Sequence, residues 1–348
     1  MKEKLFSWLN RSLDPNTAIG VATYADTVNA VCLKKQSDQW MVHSSHSVNV
    51  SEQTDYTAAI VACTNEVSTD ICAVNLVIPH YFYQIVQMDK PNLSDEEIIQ
   101  SLPWTTKDLV DIAPENIVAD FIDYPITLTM QSSKMNVFIT NKLQLLPFID
   151  SFGQTKPVLR AMTSEEMVLV TLFGTHKEAH MLIVQHASHE PRILIIRDGQ
   201  LVLARRLNGF LGIADKDQNQ ELVDALGLEI QRSMDFFESQ LKQPPIRSIQ
   251  LQCDDLSSLT LRAGLAEFLQ VKVVDFEPNL ELAQQLEPNF YYALGGIKSV
   301  GYESISNVIK ERKENGDFKS INDFLNRVNP KDMNKLQLEG LVKAGAFD

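Results

Sequence analysis

The sequence predicts an α/β protein built from two similar lobes with a cleft between them. The first observation is an Asp198-Gly199 pair between apolar runs at Met181–Val184, Ile193–Ile196 and Leu201–Leu203, a strong signal for antiparallel strands joined by a tight turn. The second is an apolar repeat of three or four residues that marks one face of a helix: Leu222, Leu226, Ile230, Met234, Phe237 and Leu241. Pro244-Pro245 ends this helix, and Ile246–Leu251 begins another strand.

The third observation is that strands and helices alternate twice, before and after about residue 175. In the first half we predict strands at Ile19–Thr23, Val28–Leu33, Trp40–Val48, Ile71–Ile78, Ile117–Tyr124, Ile126–Met130, Asn136–Thr140 and Pro157–Met162. Helices are predicted at Tyr56–Thr64, after Ser94, at Asn141–Phe152 and from Ser164 to Phe173. The second half adds helices at Ser257–Leu269 and Pro278–Leu286 around a strand at Val271–Phe276.

This pattern divides the 348 residues into three parts. Residues 1–175 form a first lobe with an inserted small α/β subdomain, and residues 176–296 form a second lobe. Residues 297–348 form a small all-α segment. The order of hairpin sheet, crossover helix and returning strand is similar to that of ribonuclease-H-like folds, including each half of the actin-like ATPases.

The composition limits where the protein can be located and which partners it can bind. The net charge of −14 argues against nonspecific binding of nucleic acid or an anionic membrane by the whole molecule. Residues 297–348 carry 9 Lys/Arg and 8 Asp/Glu, so the charge lies in the rest of the chain. No apolar run approaches the ~18 residues that span a membrane, and we expect a cytoplasmic protein. Met1–Arg11 is predicted to be a short amphipathic helix that either caps the body of the protein or touches the inner membrane surface.

The four cysteines, Cys32, Cys63, Cys72 and Cys253, have no metal-binding spacing. Their apolar neighbours predict buried free thiols. No residues are predicted to bind a metal or to act in catalysis.

Several stretches resemble the PilM family of pilus assembly proteins. Glu229–Met234 and Ile246–Leu251 are similar to that family's E-x-x-R-S-x and I-x-x-I-x-L segments. The hairpin from Arg197 to Leu207, the Asn141-Lys142 pair and the helix from Ser164 fit its order. The resemblance covers about residues 1–296, and the lack of catalytic motifs is similar to the MshI branch, which serves the mannose-sensitive haemagglutinin (MSHA) type IV pilus.

The resemblance implies a two-lobed actin-like ATPase fold that works as a cytoplasmic adaptor. Its partner would be the cytoplasmic tail of a membrane-anchored pilus assembly protein, bound in a groove between subdomains. Through that partner the adaptor would be peripheral to the inner membrane.

The phosphate-binding loops of this fold need glycines for close backbone approach and carboxylates for a metal. The positions that align with the two loops hold Ala22, Thr23 and Tyr24, and then Gln185, His186, Ala187 and Ser188.

Asp26 fits a turn former, and His186 and His189 are predicted to be solvent-facing loop residues. Gly295 and Gly296 align with the helix beside the adenosine site, or serve close helix packing. We therefore predict a vestigial nucleotide groove without hydrolysis, with a true actin-like ATPase using ATP and Mg²⁺ as an alternative.

The end of the chain resembles a different protein. Ile297–Gly301 is predicted to be a tight hairpin that opens a helix at Tyr302–Lys313, with further helices after Ser320 and Asn329. From Tyr292 to Asp348 the residues resemble the helix-hairpin-helix segment of the alpha subunit of bacterial DNA polymerase III. The string Tyr292–Gly296 fits both families, which suggests a join there.

The resemblance implies phosphate contacts with DNA that do not depend on sequence. The candidate contacts are Lys298, Ser299, Val300, Gly301 and Lys310. Ser299 replaces the usual first glycine, and a single hairpin on a near-neutral tail predicts weak binding. None of the polymerase's catalytic residues is in this segment. The tail is therefore either a DNA-binding module or a packed helical appendage.

Overall fold

A computed structural model describes residues 13–299, except 25, 38, 51–55, 126–132, 187–188, 211–219 and 254–257, together with Arg327. The predicted helix Met1–Arg11, the strand Ile126–Met130 and the helices after residue 300 lie outside these described residues. The side chain of Cys253 also lies outside them, whereas Cys32, Cys63 and Cys72 are buried free thiols as predicted.

The described strands and helices follow each other in chain order. The strands are β1 (Thr17–Tyr24), β2 (Thr27–Gln36), β3 (Gln39–Asn49), β4 (Ala73–Ile78), β5 (Tyr83–Asp89), β6 (Ile117–Asp123), β7 (Lys134–Asn141), β8 (Val158–Ser164), β9 (His180–Gln185), β10 (Arg192–Arg197), β11 (Gln200–Arg206), β12 (Ser248–Cys253) and β13 (Lys272–Asp275). The helices are α1 (Tyr56–Val67), α2 (Asp95–Thr105), α3 (Lys142–Ser151), α4 (Glu165–Phe173), α5 (Gln220–Asp235), α6 (Ser258–Leu269) and α7 (Tyr291–Ser299).

Two five-stranded sheets have the same topology. The first has the order β3-β2-β1-β4-β8 and the second the order β11-β10-β9-β12-β13. In each sheet an antiparallel meander of three strands is followed by two parallel strands. This repetition confirms the predicted pair of similar α/β lobes.

Local signals place several elements as predicted. Asp198 and Gly199 have φ angles of 51° and 69°, as the two-residue hairpin turn requires. Ser164 accepts a hydrogen bond from the backbone N–H of Met167 at 3.4 Å, which caps α4. Gly174, with φ of 79°, ends that helix.

Helices α4 and α7 pack between the two sheets. Leu169 of α4 and Leu294 of α7 are fully buried in a core that includes Leu182 and Leu194 of the second sheet. A Cβ atom on Gly20 of β1 would lie 1.8 Å from the carbonyl oxygen of Ala293. Because β1 and α7 touch backbone to backbone, α7 packs against the first sheet although it follows the second lobe in the chain.

A smaller three-stranded sheet, ordered β5-β7-β6, forms with α2 the inserted subdomain of the first lobe. Ile98 and Leu102 of α2 pack on Phe121 and Val137 of this sheet. Strand β5 escaped prediction, because its buried and exposed positions do not alternate regularly.

Two predictions at the end of the described chain are wrong. The stretch predicted as the helix Pro278–Leu286 forms only a 3₁₀ turn at Glu281–Gln285. The predicted hairpin Ile297–Gly301 is wrong for its first three residues, which form the last turn of α7, and Ile297 is 1% exposed in the core between the sheets. Val300 and Gly301 lie outside the described residues. A hydrogen bond from the Ser299 hydroxyl to the carbonyl oxygen of Gly296, 3.4 Å long, accompanies this last turn.

Candidate functional site

The residues aligned with the first phosphate loop lie at the end of β1. Ala22 is fully buried, and Thr23 donates its hydroxyl hydrogen to the carbonyl oxygen of Val77, 3.4 Å away. Tyr24 ends the strand, and Asp26 is an exposed turn residue whose carbonyl oxygen accepts from the N–H of Val50 at 2.7 Å. The side chains of Ala22 and Thr23 thus belong to the packing and hydrogen bonding of the first sheet.

The second aligned loop follows β9. Gln185 is the last residue of that strand and is buried, whereas Ala187 and Ser188 lie outside the described residues. Gly295 and Gly296 lie in α7, where added Cβ atoms would come within 2.6 Å of Val168 and Val77, respectively. The two glycines therefore allow α7 to pack closely against α4 and β4.

A buried charged cluster lies where the two lobes meet. We define the junction cluster as His80, Tyr83, Glu165, Glu166, His186 and Arg192. The first four residues come from the first lobe and the last two from the second. Strands β4, β8 and β9 end beside this cluster, and β10 begins there.

Arg192 holds both carboxylates at the start of α4. Its guanidinium donates one hydrogen bond to Oε2 of Glu165 and another to Oε1 of Glu166 at 2.8 Å. The three residues are 2 to 4% exposed. Burial opposes ionisation of Glu165, but Arg192 outweighs this effect and holds the pKa of Glu165 well below its usual value. An ionised carboxylate buried this deeply requires such pairing.

The two histidines and the tyrosine add further hydrogen bonds to the cluster. His186 Nε2 lies 3.3 Å from Glu165 Oε2, and the backbone N–H of His80 donates to Glu165 Oε1 at 3.0 Å. The hydroxyl of Tyr83 donates to Glu166 and accepts from the backbone N–H of Glu165 at 3.0 Å. Burial lowers the pKa of His80 to about 4, although the Glu165 carboxylate, whose Oε2 lies 3.5 Å from the ring Nδ1, acts in the opposite direction.

The prediction of a solvent-facing His186 is therefore wrong. Its ring is 3% exposed and bonded to Glu165, which precedes it by 21 residues. Both cluster carboxylates are bonded to protein groups of the junction, so they are not free to hold a metal ion or its water. Among the described residues no group of three or more side chains is arranged to hold a metal ion.

A second feature is an open apolar groove between the inserted subdomain and the body of the first lobe. The β6 groove, as we name it, has a volume of about 280 Å³. One wall is Val118–Ile122 of β6 with Phe138 and Thr140 of β7. The other wall is formed by Ile78, Tyr83, Leu145, Met162–Ser164 and Met167.

Both walls include the open edge of a sheet. Strand β6 is outermost in the order β5-β7-β6, and β8 is outermost in the first sheet. Consecutive residues of each strand line the groove. Because side chains alternate between the two faces of a strand, consecutive lining residues show that the backbone edge itself borders the groove. Val118 is 42% exposed there, and no described strand pairs with the outer edge of β6. An apolar side chain and a strand edge are therefore presented together.

The candidate DNA contacts are largely outside the described residues. Val300, Gly301 and Lys310 lie there, whereas Lys298 and Ser299 belong to the last turn of α7. Across the described part of the chain, no helix is both long and apolar enough to cross a bilayer.

Two matching sheets with two helices packed between them define the actin-like ATPase fold, and known structures agree. The structure is similar to a protein of the solved "PilM-PilN type IV pilus biogenesis complex", with a TM-score of 0.60 and 14% identity. This similarity covers 81% of our chain and 98% of that one. At this identity the likeness establishes the shared fold.

The end of the chain has relatives of another kind. A family model described as a helix-hairpin-helix motif matches residues 267–348. The DNA polymerase III subunit alpha of Campylobacter jejuni is 46% identical over 67 residues, which are 19% of this chain and 6% of that protein. The corresponding subunit of Helicobacter pylori strain 26695 is 47% identical over 64 residues, or 18% and 5%. The chain thus spans about a twentieth of the length of these relatives, and the resemblance of the tail is confirmed.

Proposed function

We propose that this protein is a cytoplasmic adaptor of type IV pilus assembly, of the MSHA kind, that binds the cytoplasmic tail of a membrane-anchored assembly protein. The observation that carries this proposal is the β6 groove, where an open strand edge lies along an apolar wall. The PilM-like fold supports it. Binding through the tail would hold the adaptor at the inner membrane surface.

The shape of the groove favours an extended peptide. A peptide that adds to a strand edge gains main-chain hydrogen bonds, while alternate side chains enter pockets. The apolar side chains of Val118, Phe138 and Met162 line the groove, so buried apolar peptide side chains would supply the affinity. A folded domain would not fit a groove of about 280 Å³.

Fluorescence anisotropy with labelled synthetic peptides tests this proposal. The probes are the cytoplasmic tails of the inner-membrane pilus assembly proteins of the source organism, each titrated with the full-length chain. We expect saturable binding of one tail, reduced at least tenfold by Val118→Asp, which places a charge on the apolar wall. The matched control is Leu228→Asp, which makes the same change at a 51% exposed leucine of the second lobe. Equal binding by the two variants, or no binding of any tail, would contradict the proposal.

The adaptor is further proposed to work without ATP hydrolysis. Glycine and carboxylate are missing from Ala22–Tyr24, and Arg192 pairs with both carboxylates at the lobe junction. The described residues therefore do not fit a nucleotide and its metal ion. Calorimetry with Mg-ATP at a protein concentration of about 50 µM should show no saturable heat, and a phosphate-release assay should show no turnover above buffer. Micromolar affinity with turnover would favour the true ATPase instead.

A second candidate function rests on the helix-hairpin-helix match of residues 267–348. This function is weak binding of DNA by residues 297–348, without dependence on the DNA sequence. The test is titration of labelled duplex DNA at several salt concentrations with full-length Lys298→Ala and Lys310→Ala variants. Each lost phosphate contact should reduce the slope of log K against log salt by about 1.

The control is Lys177→Ala, which alters an exposed lysine of the second lobe. A deletion for the same purpose should begin at residue 300, because Ile297 is buried in the core. DNA affinity that this deletion leaves unchanged would eliminate the second candidate.

A further inference from the structure

The β6 groove contains one carboxylate among its lining residues, that of Asp120. Asp120 lies on the same face of β6 as Val118 and Ile122, because side chains two residues apart share a face. Phe138 is its direct partner across the β6–β7 ladder. A single acidic side chain thus stands in the middle of an apolar surface.

Within the described ranges, the Asp120 carboxylate accepts one hydrogen bond. Its Oδ1 atom accepts from the backbone N–H of Phe121 at 2.8 Å, which fixes the orientation of the side chain. No cation of the described chain pairs with it. The side chain remains open to solvent, yet the surrounding protein displaces enough water to raise its pKa.

The other acidic side chain on β6 is bonded differently. Asp123 forms a salt bridge of 2.6 Å with Lys90. The groove therefore presents an oriented, uncompensated carboxylate whose second oxygen is available to a ligand.

We propose that Asp120 is a specificity residue that pairs with a lysine or arginine of the bound tail. This inference rests on the proposed function and names the chemistry of its partner. Cytoplasmic segments beside a membrane span are rich in Lys and Arg, and a chain with a net charge of −14 attracts them. A basic side chain in the groove would give Asp120 the cation that the protein does not supply.

The geometry also predicts the spacing within the peptide. A strand added beside β6 would place one residue next to Asp120 and the residues two positions before and after it next to Val118 and Ile122. The recognised pattern is therefore apolar, any residue, Lys or Arg, any residue, apolar.

A double-mutant cycle on the tail peptide that binds best tests this inference. Each Lys or Arg of the peptide is replaced in turn by norleucine, and every peptide is titrated against wild type and Asp120→Asn. At one basic position the replacement should weaken binding to wild type about tenfold and leave binding to Asp120→Asn nearly unchanged. The reversed pair, Asp120→Lys with glutamate at that peptide position, should recover most of the lost affinity.

Asp123→Asn is the matched control, since it removes the same charge three residues away and should leave peptide affinity within about twofold. Circular dichroism confirms the fold of every variant. The inference would be overturned if the tail binds wild type and Asp120→Asn equally, or if replacing each basic peptide residue weakens binding to both proteins by the same factor. Either result would leave the proposed function standing. Failure of every tail to bind would overturn both.

Discussion

The junction cluster and the β6 groove share a wall, but their carboxylates are bonded in opposite ways. Glu165 and Glu166 are buried, and Arg192 pairs with both. Asp120 is open to solvent, and no described cation pairs with it. The comparison teaches that the buried charges at the lobe junction are paired with one another and serve the scaffold. The charge in the groove remains available to a partner.

Tyr83 connects the two regions. Its ring lines the groove, and its hydroxyl donates to Glu166 in the junction cluster. Burial and the neighbouring carboxylates raise its pKa, so the hydroxyl stays protonated and donates this hydrogen bond at physiological pH. This hydrogen bond ties one wall of the groove to the buried ion pairs, which suits the proposed binding of an extended peptide.

The largest expected effect comes from removing the buried cation. Arg192→Met leaves two buried carboxylates unpaired, and such a loss destabilises a protein by about 3–5 kcal/mol. The measurement is urea-induced unfolding followed by far-ultraviolet circular dichroism. Arg205→Met is the matched control, because Arg205 is 41% exposed beside Glu229, and exposed pairs contribute about 1 kcal/mol or less. Equal losses in the two variants would mean that the junction cluster is no more stabilising than a surface pair.

The next effect is a dependence of stability on pH. Folded His80 has a pKa of about 4, whereas an unfolded histidine has one near 6.5. Between these pH values His80 is protonated in the unfolded chain and neutral in the folded chain. The free energy of unfolding therefore falls as the pH falls. The slope of the free energy of unfolding approaches about 1.4 kcal/mol per pH unit, and the expected loss between pH 6.5 and 5.0 is about 1.6 kcal/mol.

Unfolding curves over this pH range should show that the free energy of unfolding of His80→Gln falls less than that of the wild type, and the difference should be about the loss given above. His43→Gln, which alters an exposed histidine of β3, should retain the dependence of the wild type. If His80→Gln and the wild type follow the same pH curve, the histidine of the junction cluster is not the group responsible.

A smaller effect, on amide hydrogen exchange, distinguishes the β6 groove from the junction cluster when a peptide binds. At a tail concentration ten times its Kd, the groove is free of peptide in only about one chain in eleven. Edge amides of β6 that form new hydrogen bonds should therefore exchange about tenfold more slowly, as hydrogen–deuterium exchange with mass spectrometry can measure. The junction peptide around Arg192 serves as the internal control and should change little. Protection at Arg192 without protection of Ile117–Asp123 would place the peptide in the junction instead.

Elements set by local signals could be predicted from the sequence. The Asp198-Gly199 turn and the Ser164 cap each depend on residues only a few positions apart. Strand β5 could not be predicted in this way, because its pairing with β7, more than forty residues away, defines it. Similarly, Ile297 is helical because it packs in the core, although its neighbours resemble a hairpin motif.

The junction cluster escaped prediction because Glu165 and Arg192 are 27 residues apart in the chain. One signal was present. The helix that follows Glu165-Glu166 is almost continuously apolar from Met167 to Phe173, and a helix that is apolar on all sides is buried. Its first-turn carboxylates must therefore be buried too and require a cation. The β6 groove had no comparable signal, since it arises from two sheet edges that meet only in the folded chain.

The smallest expected effect is on the stability of Asp120→Asn itself. The carboxylate has no cationic partner in the described chain, and an asparagine oxygen can accept the same hydrogen bond from the N–H of Phe121. The change should therefore alter the free energy of unfolding by no more than about 0.5 kcal/mol, as urea unfolding of the unliganded chain will measure. Glu166→Gln is the contrasting variant, because it removes the buried partner of Arg192 and should cost several times more. A large loss in Asp120→Asn would show that the groove carboxylate stabilises the fold, and the distinction between scaffold charges and partner-binding charge would not hold.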